Sequence, residues 1–159
     1  MSGTFDDVRL ICRGNLPGPR FLRALGDHRV RLAAKPDEDG TIWRRGVLGH
    51  TWTLRCISAA GEDPRDRLYL FAGHDGRVTI APPPPALDGL PQAWHAREVP
   101  GQPTRFTLEN ITLLGTGVAA RFLDGRTATG DVGFAPNTAP PFTGTVWDID
   151  PVPTHHFME

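Results

Sequence analysis

The sequence predicts an all-β protein made of one domain with about twelve short strands in three like units. Three observations carry this. First, eighteen glycines and sixteen prolines among 159 residues punctuate the chain with turns. Second, apolar and polar residues alternate in short runs, and no window of about 12 residues carries a helical stripe. Third, Trp43, Trp94 and Trp147 recur 51 and 53 residues apart, each closing a similar segment.

Each unit opens on an alternating strand. Val8, Leu10 and Cys12 share one face of the first, Trp52, Leu54 and Cys56 of the second, and Phe106, Leu108 and Asn110 of the third. A second strand follows at Arg20-Phe21-Leu22, Arg67-Leu68-Tyr69-Leu70 and Arg121-Phe122-Leu123. Turns are placed at Asp75-Gly76, Asp124-Gly125 and Thr129-Gly130. The third strands are centred on Val30 and Leu32, Val78 and Ile80, and Val132 and Phe134; Pro36, Pro82 and Pro136 follow them. Each unit then closes on a tryptophan, in Gly40-Thr41-Ile42-Trp43, Pro91-Gln92-Ala93-Trp94 and Gly144-Thr145-Val146-Trp147. The units span roughly residues 6–49, 50–102 and 103–152, with a short tail at 153–159. A unit of about four strands cannot bury its apolar face alone, so three of them are expected to close a barrel capped by hairpins, which also removes open sheet edges.

This pattern resembles the β-trefoil fold over nearly the whole chain. Gln92-Ala93-Trp94 matches the Q-x-W signature of ricin B-type lectins, while the other two copies read Thr41-Ile42-Trp43 and Thr145-Val146-Trp147. The resemblance implies a non-catalytic carbohydrate-binding module. In such lectins a sugar site uses an Asp after the second strand, an aromatic platform and an Asn in the following loop. Carboxylate and amide hold vicinal hydroxyls, and the ring covers the apolar face of the sugar. Here Asp124 and Asn137 fall at those positions in the third unit, with Phe134 or Phe142 as the platform. Read without the family, Asp124-Gly125 is also a good turn and Asn137 a good loop residue. The other units depart from the pattern, with Arg23 and Phe71 in place of Asp124 and Lys35 and Pro83 in place of Asn137. Some β-trefoils instead inhibit proteases through a loop. The alternative is therefore protein binding through segments 34–41, 82–91 or 136–145.

Other classes find little purchase. A net charge of −1 supplies no field for nucleic acid, and the arginines at 9, 13, 20, 23, 29, 31, 44 and 45 are offset by acids at 27, 37, 38 and 39. No apolar run approaches the roughly 20 residues of a membrane span. The start has no signal-peptide pattern, and a cytoplasmic protein with reduced thiols is expected. Ser2 and Ser58 are the only serines, and neither lies in a nucleophile elbow. The six histidines are scattered, and His155-His156 reads as solvated, so neither a metal, a cofactor nor an enzyme is expected. Cys12 and Cys56 occupy matching strand positions, read as small buried hydrophobes with a disulfide left open. The stretch APPPPALDGLPQ, residues 81–92, reads as a stiff loop before it reads as an extended peptide ligand.

Overall fold

The computed structural model describes residues 4–57, 68–73, 77–82, 92–115 and 117–152. Twelve strands join in one antiparallel sheet: β1 Thr4–Cys12, β2 Phe21–Ala24, β3 Val30–Ala33, β4 Ile42–Leu48, β5 Thr51–Ile57, β6 Tyr69–Ala72, β7 Val78–Ala81, β8 Trp94–Val99, β9 Gln102–Asn110, β10 Phe122–Arg126, β11 Asp131–Ala135 and β12 Trp147–Val152. The only α-helix among the described residues is α1, Ile111–Gly115. It has no stripe of its own. Asn110 starts it, accepting the Leu113 N–H on Oδ1 at 3.2 Å.

The pairings close on themselves. β1 pairs with β4, β4 with β5, β5 with β8, β8 with β9, β9 with β12, and β12 with β1. The remaining strands form the hairpins β2–β3, β6–β7 and β10–β11, attached to β1, β5 and β9 respectively. The hairpins also touch one another. Asp131 of β11 pairs with Arg31 of β3, and Arg29 bridges to Thr79 of β7.

The tryptophans join barrel to hairpins by the same bond three times. The indole Nε1–H of Trp43 donates to the Leu22 carbonyl at 3.0 Å, that of Trp94 to Leu70 at 3.2 Å, and that of Trp147 to Leu123 at 3.0 Å. Each ring is fully buried. Burial of an indole requires a partner for its N–H, and a strand carbonyl supplies it. The opening strands end alike as well: the amides of Cys12, Cys56 and Asn110 donate to the carbonyls of Arg20, Leu68 and Arg121. Thr41 and Thr145, two residues ahead of their tryptophans, are buried and donate to Glu38 and Phe142 carbonyls three residues back.

Leu10, Leu54 and Leu108 are all fully buried, as the alternation requires. Replacing Leu54 by Ala is expected to lower the unfolding free energy by roughly 2–5 kcal/mol, measured by urea denaturation. A loss below about 1 kcal/mol would place Leu54 on the outer face, since a one-residue slip reverses every side chain.

One turn differs from expectation. Asp124 and Gly125 lie inside β10, opposite Gly133 and Val132. The chain reverses at residues 127–130, where Gly130 has φ 83° and donates to the Arg126 carbonyl at 2.7 Å. Five arginines of the first unit are held in ion pairs. Arg44 and Arg45 grip Asp7 and Asp6, Arg23 meets Glu38, Arg29 meets Asp27, and Arg31 spans to Asp131. Cys12 and Cys56 are both buried and form no disulfide. The Asp75-Gly76 turn, most of the proline-rich loop, His74 and His155-His156 lie outside the described residues.

Candidate functional site

Three segments from distant parts of the chain meet beside β10. They are residues 14–18 after β1, the β10–β11 hairpin, and residues 141–145 before β12, which include a 3₁₀ turn at Thr143–Thr145. Glycine lets them approach. A Cβ on Gly144 would lie 1.7 Å from the Gly125 carbonyl oxygen, so only glycine seats that turn on the strand. Gly18, at φ 146°, lies as close to the hairpin: a Cβ there would stand 1.8 Å from the Thr127 oxygen.

The segments enclose a pocket of about 350 Å³. Trp147 and Cys12 lie under its floor, against Gly125. The Cys12 thiol faces the carbonyl oxygens of Gly125 at 3.4 Å and Gly144 at 3.5 Å. Burial pushes the Cys12 pKa up, so the group stays a protonated donor that ties the floor together.

Asp124 and Phe142 both line this pocket. The Asp124 side chain is only 7% exposed, and its one ion pair among the described residues is loose, with Arg126 Nε 3.8 Å from Oδ2. Burial raises its carboxyl above the ordinary carboxylate value, and Arg126 opposes the rise. An acceptor buried with so little compensation costs stability, and such groups concentrate at functional sites.

Phe134 and Asn137 lie elsewhere. The Phe134 ring is half-buried against the core and stacks on Trp94 at 6.0 Å and 19°. Asn137 is exposed, and its Oδ1 accepts the Ala139 N–H at 3.0 Å, closing its own loop. The amide in the pocket wall comes instead from Asn15 of the first unit. Its Oδ1 accepts from the Thr143 hydroxyl at 3.0 Å, and its backbone N–H donates to the same oxygen at 3.2 Å. The side-chain NH₂ remains as a donor in the pocket wall. Thr127, whose hydroxyl donates to the Leu16 carbonyl at 2.6 Å, ties the hairpin to the same 14–18 segment.

The pocket thus presents a carboxylate acceptor, an amide donor, a guanidinium and a phenyl face. No group of three or more His, Cys, Asp or Glu side chains among the described residues is placed to hold a metal ion. No helix among them is long and apolar enough to cross a membrane. No protein-family model and no curated protein sequence matches the chain.

The raised Asp124 pKa sets the sign of a pH effect. The folded chain holds this proton more tightly than the unfolded chain. Stability therefore falls as pH rises from the unfolded value through the folded one, and the deficit persists above it. Asp124→Asn removes the titrating group while keeping the shape. The variant is expected to be the more stable at neutral pH, with its advantage shrinking as the pH drops towards the ordinary carboxylate range. Urea denaturation of both proteins across that range checks this; a gap independent of pH contradicts it.

Proposed function

We propose that the chain is a β-trefoil and a non-catalytic carbohydrate-binding module whose site is the pocket beside β10. The fold reading rests on the closed six-strand ring, the three capping hairpins and the thrice-repeated tryptophan bond. The functional reading rests above all on one observation: Asp124 and Phe142 share one pocket. A carboxylate accepts two hydroxyl protons at once, with charge-assisted bonds stronger than neutral ones. The Asn15 amide supplies the donor that a hydroxyl oxygen needs, and Phe142 offers a face for ring C–H groups. Leu16, 53% exposed, extends the apolar lip. The wall is shared between the first and third units, so one site per chain is the natural stoichiometry. A glycan array probed with the labelled protein tests the reading. Binding confined to a related set of neutral saccharides supports it, and an array with no signal above background overturns it.

A further inference from the structure

A second cavity, of about 420 Å³, lies on the outer face of the barrel and shares no residue with the first. Its base is the β8–β9 ladder. His95 stands opposite Glu109, and Arg97 opposite Thr107. Period two puts all four side chains on one face, and directly opposed residues have Cβ atoms about 4.5–5.5 Å apart. Phe122 of β10 flanks Glu109 on the other side.

The charges in this cavity do not cancel. Glu109 is its only carboxylate, and Arg121 already holds it through Nε. That pair is largely buried, with side chains 12% and 27% exposed, and Arg121 Nη1 is further fixed on the Val118 carbonyl at 3.0 Å. The Arg97 side chain is left with no ion pair or hydrogen bond among the described residues. Two arginines against one glutamate leave the cavity with positive charge in excess.

An unpaired guanidinium presents a planar fork of N–H donors that matches two oxygens of a tetrahedral oxyanion. The Thr107 hydroxyl and a His95 ring N–H supply further donors. The rest of the lining is Thr138 and two apolar groups: the Phe122 ring, which carries the Arg121 guanidinium 5.8 Å from its centroid, and Leu114, 44% exposed. We infer that this cavity binds a small organic phosphate or sulfate monoester, its oxyanion on Arg97 and Thr107 and its organic body against Phe122 and Leu114. The site is independent of the saccharide pocket, and its occupation does not require that pocket to bind anything.

The test is a chemical-shift titration of the ¹⁵N-labelled protein with phenyl phosphate, phenyl sulfate, phenol and inorganic phosphate. Either ester is expected to saturate, with shifts gathered on β8, β9 and residues 114–122. Phenol should give none, and inorganic phosphate should bind more weakly. Arg97→Ala should weaken the ester by about 10- to 100-fold, the loss of a charge-assisted bond, with an unchanged melting temperature because the side chain is exposed and unpartnered. Arg97→Lys should recover only part of the affinity, and Thr107→Val should lose several-fold. Absence of saturable ester binding overturns the inference. So does ester binding that survives Arg97→Ala, phenol binding that equals the ester, or inorganic phosphate that matches it.

Discussion

Trp94→Ala is expected to lower the unfolding free energy by about 3–5 kcal/mol, the range for deleting a large aromatic from a packed core. Two losses add to the cavity. The Leu70 carbonyl, which accepts the indole N–H at 3.2 Å, is left unpaired in a dry interior. The Phe134 ring, stacked on the indole, loses its partner across the boundary between the second and third units. Against an ordinary stability of about 5–15 kcal/mol, this is a large fraction. Trp94→Phe keeps much of the apolar volume but not the bond, and should cost less. Equilibrium unfolding in urea compares the three proteins. A loss below about 1 kcal/mol for the alanine variant would mean that the closing tryptophans do not clamp hairpin to barrel.

Asp124→Ala should weaken saccharide binding by about 10- to 150-fold, because a hydrogen bond to a charged group contributes roughly 1.5–3 kcal/mol and each 1.4 kcal/mol is about tenfold in Kd. Stability should hold or rise, since the carboxylate is buried against only a loose guanidinium 3.8 Å away. This pairing of outcomes separates a ligand-holding group from a structural one. If the carboxylate held its strand in place, the variant would melt earlier and its residual affinity would be set by the folded fraction. Titration calorimetry with a saccharide identified on the array, run beside melting curves, reads both quantities.

The parts of the fold that were legible in the sequence are those written in local patterns. The inward leucines 10, 54 and 108 follow from period-two alternation, and the tryptophans from their spacing. Asp124-Gly125 was misread as a turn because that pair has strong turn chemistry. The glycine is there for another reason: a Cβ would stand 2.7 Å from the Cys12 sulfur and 3.0 Å from the Trp147 ring. A demand for space imposed by residues far away in sequence leaves no local trace. Asn15 was missed for a related reason. It reaches the pocket only because β1 pairs with β12, which sets the 14–18 loop against Thr143 across 128 residues of chain. Asn137 has the expected composition but closes its own Asx turn instead.

The most direct test of the saccharide pocket is a ¹⁵N chemical-shift map of the wild-type protein titrated with a neutral saccharide taken from the array. The account predicts saturable shifts concentrated on residues 14–16, 124–129 and 142–144, the three segments around Asp124 and Phe142, with the amide side chain of Asn15 among the largest. Saturable shifts centred instead on the β8–β9 face, on another hairpin, or spread without a focus would contradict it.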